Sequence, residues 1–136
     1  MCPVTVVISA LNEAARIRET ILTTMERVRA ARVIVVDGGS TDATGVIAAA
    51  AGADALTGTR GRGSQCHAGA LAATSEWLLF LHDDTTLPSN ADEVIARFIA
   101  QTNSRVATFR LRFDEPGRFL RTAARSRAST AYSLVR

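Results

Sequence analysis

The chain is predicted to fold as an α/β domain, an open and mostly parallel sheet covered by helices on both faces in three layers. Three observations carry this expectation. Apolar residues switch repeatedly between short β-type runs and a helical period of about 3.6. The strand candidates at 3–10, 32–37 and 76–83 are apolar on both sides, as strands covered on both faces are. Strand and helix candidates then alternate along 136 residues, a length that suits one core.

The elements follow in order. Residues 3–10, PVTVVISA, are a β-branched run and the first strand. In NEAARIRETILTTMERVRA, Ile17, Ile21, Met25 and Val28 fall at helical spacing, with Asn12 as the expected N-cap. RVIVVD (32–37) is the second strand. Ser40 or Thr41 is expected to cap a short helix, DATGVIAAAA, that stops before Gly52. ADALTG (53–58) is a weaker third strand, and SQCHAGALAAT (64–74) a helix of small residues able to lie close against a sheet. EWLLFLHD (76–83) is the fourth strand. Ser89 and Asp92 read as a capping box for NADEVIARFIAQT. VATFRLRF (106–113) alternates strictly, with Phe109, Leu111 and Phe113 opposite Thr108, Arg110 and Arg112, which predicts a half-exposed fifth strand. The expected division is a main domain over residues 1–115 and a basic helix or tail over 116–136. The apolar face of strand five, or Phe119, Leu120 and Leu134 of the tail, is expected to leave a patch that promotes self-association.

Composition removes several function classes. With 47% apolar and 21% charged residues the chain reads as an ordinary soluble globular protein, not a disordered one. No apolar stretch approaches the roughly 18–20 residues of a membrane span. The N-terminus has no basic leader, and Asn12 and Glu13 break its apolar run, so no signal peptide is read. Cys2 and Cys66 form no metal or disulfide spacing, which fits a reducing, cytoplasmic setting. The net charge of +3 hides an asymmetry. All 13 acidic residues lie at or before Glu115 beside 11 arginines, whereas the stretch after it holds five arginines and no acid. A nucleic-acid binder spreads its basic residues over a face, so nucleic acid is not an expected partner. A tail of this kind suits an anionic membrane surface such as the inner membrane, a partner, or water.

Ligands of open α/β sheets bind beyond the carboxyl ends of the strands, so SALNEA, DGGSTD, GTRGRGS and HDDT are expected to meet on one edge. Asp37 ends strand two, free to accept from ligand N–H or hydroxyl groups. Arg60 and Arg62 lie in a glycine-rich loop before a helix N-terminus, an arrangement suited to a phosphate or diphosphate. Adjacent carboxylates at Asp83 and Asp84 suit a hard divalent cation, Mg²⁺ or Mn²⁺, shared with substrate phosphates. No G-x-G-x-x-G follows strand one and no P-loop occurs, which disfavours a dinucleotide or P-loop site.

VVISALNEAARI, VIVVDGGSTD, GRGSQCHAG and WLLFLHDDT together resemble family 2 glycosyltransferases, most of all the bacterial subgroup with an LHAD-type motif that is sometimes encoded near radical SAM proteins. The resemblance runs from residue 4 to about 113. It implies the Rossmann-like GT-A fold, a nucleotide-diphosphate sugar donor, a divalent metal, inversion at the anomeric carbon, and an acceptor that stays open. On this resemblance Ala10, Asn12 and Glu13 match the loop beside the nucleotide base, and Asp37 the acid that recognises the base, with Gly39 and Ser40 shaping its turn. Arg60 and Arg62 match the loop along the base and diphosphate. His82, Asp83 and Asp84 occupy the D-x-D position, with Asp84 matching the acid that holds the metal. Two departures stand out: His82 replaces the first D-x-D acid, and nothing after Glu115 resembles the acidic motif that supplies the catalytic base. The chain is therefore expected to be the donor-binding part, with the base beyond its end. The alternatives are a non-catalytic nucleotide-binding remnant and, behind it, a nucleotidyltransferase.

Overall fold

The computed structural model describes residues 4–29, 32–101, 103–108 and 132–136. In chain order the elements are β1 (Val4–Ala10), α1 (Ile17–Arg27), β2 (Arg32–Asp37), α2 (Thr44–Ala50), β3 (Asp54–Thr57), α3 (Arg62–Ala72), β4 (Trp77–His82), α4 (Ala91–Gln101), β5 (Val106–Thr108) and β6 (Tyr132–Val135). One six-stranded sheet has the order β3-β2-β1-β4-β6-β5. β3, β2, β1 and β4 run parallel, while β6 is antiparallel to both β4 and β5.

Strand alternation divides the core into the two halves that three layers require. On one face Val4, Val6, Ile8 and Ala10 of β1 join Val33 and Val35 of β2 and Leu79 and Leu81 of β4 beneath α1, α2 and α4. On the other face Val7, Ile34 and Val36 meet Ala68 and Ala72 of α3. The middle strands are thus apolar on both sides because helices cover both sides.

The small-residue reading of α3 holds, and its reason is steric. A Cβ on Gly69 would lie 2.3 Å from Val7 Cγ1 and 3.2 Å from Val36 Cγ2, so only glycine lets this helix approach the sheet so closely.

Several expected caps do not form. α1 starts at Ile17, not after Asn12, and its N-cap Arg16 makes no side-chain cap bond. Neither Ser40 nor Thr41 caps α2, because Ser40 turns back to Asp37 and Thr41 to Asn12. Asp92 lies 3.8 Å from Arg29 Nε, with its Oδ1 buried and unbonded, and no hydrogen bond joins it to Ser89. Asn12 and Thr41 exchange the cap for a tertiary partner, each other, and Ser40 for a local turn bond to Asp37.

The larger correction concerns the basic tail. Residues 132–135 are a strand inserted between β4 and β5, so the sheet extends past the expected division at residue 115. Leu134, expected on an exposed patch, is fully buried in the core. Of strand five only Val106–Thr108 is described, at the sheet edge with Val106 exposed. Phe109, Leu111, Phe113, Phe119 and Leu120 lie outside the described residues. Among the described residues no helix is long and apolar enough to cross a membrane.

Gly69→Ala should destabilise the fold by about 1–3 kcal/mol through overpacking, even though alanine is the better helix former. Urea unfolding at unchanged m-value measures this. A neutral or stabilised variant would remove the argument from close approach.

Candidate functional site

The parallel register brings four strand ends to one edge: Ala10 pairs with Asp37, Asp37 with Thr57, and Ser9 with His82. The loops that follow are tied together by hydrogen bonds. Asn12 adopts the left-handed conformation, φ 55°, which asparagine tolerates better than most non-glycine residues. From there its Oδ1 accepts from Thr41 N at 2.8 Å and Thr41 Oγ1 at 3.2 Å, while its own N–H donates to Ser40 Oγ at 2.9 Å. Glu13 N donates to Thr44 Oγ1 at 2.9 Å and Ala14 N to Asp42 Oδ2 at 3.1 Å. The loop after β1 is thereby laced to the loop after β2.

Asp37 ends β2 half-buried. Its Oδ1 accepts from Ser40 N at 2.8 Å and Ser40 Oγ at 2.6 Å, which uses that oxygen for the turn. Gly39 completes the turn with φ 88°. Asp37 Oδ2 faces the start of α2, where a Cβ on Gly45 would lie 3.1 Å away. The Thr44 hydroxyl, followed by the Thr44 and Ala14 N–H groups, holds the exposed Asp42 carboxyl below the ordinary carboxylate range.

The second cluster gathers at the end of β4. The Asp83 backbone carbonyl accepts from Thr20 Oγ1 of α1 at 2.6 Å, and the Thr85 N–H donates to His82 O at 3.2 Å. Burial, then the charges of Glu13 and Asp84, push the Asp83 carboxyl up to about 6, with Arg62 pulling the other way. Burial and then Arg62 lower the pKa of His82, with Asp84 opposing, so this imidazole is neutral at physiological pH. Burial raises the Cys66 thiol and Arg62 partly offsets it. Glu13, Arg62, His82, Asp83 and Asp84 therefore share one electrostatic neighbourhood. Arg62 proves to be the first residue of α3, not part of the preceding loop.

Arg60 is the exception among the expected residues. It is exposed and makes no hydrogen bond or ion pair with the described residues. His67 is likewise exposed on α3. Sequence reasoning missed Gln65, Thr44 and Thr20. Gln65 is only 4% exposed; its Nε2 donates to Ala10 O at 2.9 Å and Val36 O at 2.8 Å, and its Oε1 accepts from Gly61 N at 3.3 Å. One signal was present: Gln65 stands four residues before Gly69, on the helix face that meets the sheet.

A family model, glycosyl transferase family 2, matches residues 5–133. The chain belongs to glycosyl transferase family 2. Similar solved structures include a Mycobacterium tuberculosis glucosyl-3-phosphoglycerate synthase in complex with Mn²⁺, UDP and glucosyl-3-phosphoglycerate, with 24% identity, TM-score 0.65, and coverage of 76% of this chain and 42% of that one. A Pyrobaculum calidifontis mannosyltransferase in complex with GDP-Man and Mn²⁺ shares 22% identity over 98% of this chain and 44% of its own, at TM-score 0.69. S. aureus TarS in complex with UDP-GlcNAc shares 21% over 84% and 36%, at TM-score 0.72. These likenesses give this family member the GT-A fold, and it spans less than half the length of these three. Among curated proteins no sequence matches the chain.

The raised Asp83 carboxyl carries a stability consequence with a definite sign. The folded state holds this proton more tightly than the unfolded chain, so its contribution to stability falls as pH rises from about 4 to about 6. With a chelator present, Asp83→Asn should melt roughly 2 °C above the parent at pH 7.5, a shift kept small by solvent screening. The gain should vanish near pH 4. Equal melting at pH 7.5 would show that the carboxylate is not strained there.

Proposed function

We propose that this edge binds a nucleotide-diphosphate sugar through a divalent cation, and that the chain forms the donor-binding part of an inverting glycosyltransferase. The observation that carries the reading is the convergence of Glu13, Asp83 and Asp84 with Arg62 at the N-terminus of α3. Burial and the charges of Glu13 and Asp84 raise the cost of ionising Asp83, a cost that a cation would relieve, and an arginine beside the N-terminal N–H groups of a helix attracts phosphate oxygens. Further support comes from the similar solved proteins described with Mn²⁺ and UDP or GDP-Man.

The donor set fits Mg²⁺ or Mn²⁺. Among the described residues no three His, Cys, Asp or Glu side chains close into a metal cage. A hard cation can be held by one or two carboxylates and completed by phosphate oxygens and water. Asp84, exposed beyond β4, would hold it, with Asp83 beside it. When bound, the ion would neutralise charge on the diphosphate leaving group. Arg62 would add a second positive charge on the same group, and the first-turn N–H groups of α3 would orient it. Asp37, through Oδ2, would accept from an N–H of the base. Ala10, Asn12, Glu13, Gly39 and Ser40 would shape the base pocket, and Arg60 would reach the donor from its exposed loop. His82, as a neutral imidazole, would contact the donor without adding charge.

In the reaction, an acceptor hydroxyl would attack the sugar carbon as its bond to the diphosphate breaks, inverting that centre. The residues named here serve the leaving-group side, and the acceptor and its base are left unassigned. HDDT supports placing the chain with the LHAD-motif bacterial subgroup. The proposed setting is cytoplasmic, with the arginines after Glu115 available to an anionic membrane surface.

Calorimetry with UDP and with GDP, each with and without Mn²⁺, tests the reading. Binding of at least one should require the metal, and Asp84→Asn should weaken it by about tenfold or more, the loss of one charge-assisted contact. Metal-independent binding, or an unchanged Asp84→Asn, would refute the metal assignment. Sugar release from the matching nucleotide sugar, abolished by Asp84→Asn, would distinguish a transferase from a non-catalytic binder.

A further inference from the structure

We infer that Gln65 is a positioning residue of the nucleotide site: it sets the base-side loops and the arginine loop at a fixed separation. The inference rests on the functional reading above and adds a residue to it. Gln65 is buried at the start of α3 and spends its whole side-chain amide on backbone groups of three different segments. One N–H goes to Ala10 O, where the Asn12–Glu13 loop leaves β1. The other goes to Val36 O, one residue before Asp37. Oε1 takes the Gly61 N–H, between Arg60 and Arg62. Only one orientation of the amide satisfies all three partners, two acceptors and one donor, so its assignment is fixed by the bonding pattern.

Two further contacts fit this role. Ala10 O also accepts from Gly38 N at 3.0 Å, so the same carbonyl anchors the start of the DGGSTD turn. A Cβ on Gly38 would lie 3.0 Å from the Gln65 amide carbon and Oε1, so the turn packs directly on the amide. A ligand reaching from Asp37 to Arg62 spans the end of β2 and the start of α3, and Gln65 bonds to the residue before each, Val36 and Gly61. Pre-setting such a separation raises affinity by removing the cost of ordering the loops on binding. Gln65 reaches no candidate ligand group itself and acts through backbone.

The test uses the full chain, with Gln65→Met removing the amide and Gly38→Ala displacing it without removing it. Gly38 has no positive φ, so alanine fits its backbone. UDP and GDP with Mn²⁺ are titrated by calorimetry well below each variant's melting temperature, and amide exchange is followed at Val6–Ile8 in the core and at Gly38 and Gly61. Gln65→Met should weaken the nucleotide that the parent binds by about tenfold, and Gly38→Ala by a smaller factor. Exchange should quicken at Gly38 and Gly61 while Val6–Ile8 stay protected, which a merely structural role would not produce. Parent-like affinity in both variants overturns the inference and leaves the functional reading standing. A parent that binds neither nucleotide overturns both. If Gln65→Met does not fold, Gly38→Ala decides by the same criteria.

Discussion

The close contact between α3 and the sheet is the constraint on which the polar edge depends. Gly69 has no room for a methyl group against Val7, and that proximity brings Gln65, on the same helix face one turn earlier, within reach of the strand ends. A helix standing off by the width of a leucine would leave the carbonyls of Ala10 and Val36 out of range. Ala10 O would keep only the Gly38 N–H and Val36 O would lose its Gln65 donor, a cost that the loops would have to offset with other partners. Packing on one face of the sheet thus fixes polar geometry at its edge.

Around that frame two kinds of polar order meet. The loops after β1 and β2 are held by neutral and carboxylate hydrogen bonds that are largely satisfied among themselves, with Asn12, Ser40, Thr41, Asp42 and Thr44 bonding one another. The end of β4 is the opposite case. There Asp83 sits part-buried beside Glu13 and Asp84, and Arg62 opposes them only in part. Functional sites retain such unrelieved charge where a ligand will supply the balance. The first region is satisfied by its own hydrogen bonds, and the second is left electrically incomplete.

Much of this was legible in the sequence because it depended on period and order. Both-sided apolar strands alternating with amphipathic helices gave the layers, and the parallel sheet then placed all four loops on one edge. What escaped was set by contacts between segments far apart in sequence. Asn12 looks like a cap by its neighbours, yet its partner is Thr41. Gln65 looks like a surface position in a small-residue helix until β1 and β2 are laid against it. Leu134 looks like tail, because nothing near it in the chain announces that it will pair beside Leu79. Local pattern predicts elements well and side-chain partners poorly when those partners lie dozens of residues away.

The insertion of β6 between β4 and β5 also bears on how the molecule comes into being. β4 pairs on one side with β1, early in the chain, but its other side waits for Tyr132–Val135, about fifty residues later. While the nascent polypeptide leaves the ribosome, the parallel half can assemble with one apolar margin, Leu79 and Leu81, still lacking its neighbour. An uncovered strand margin of that kind invites pairing with other chains until the returning strand covers it.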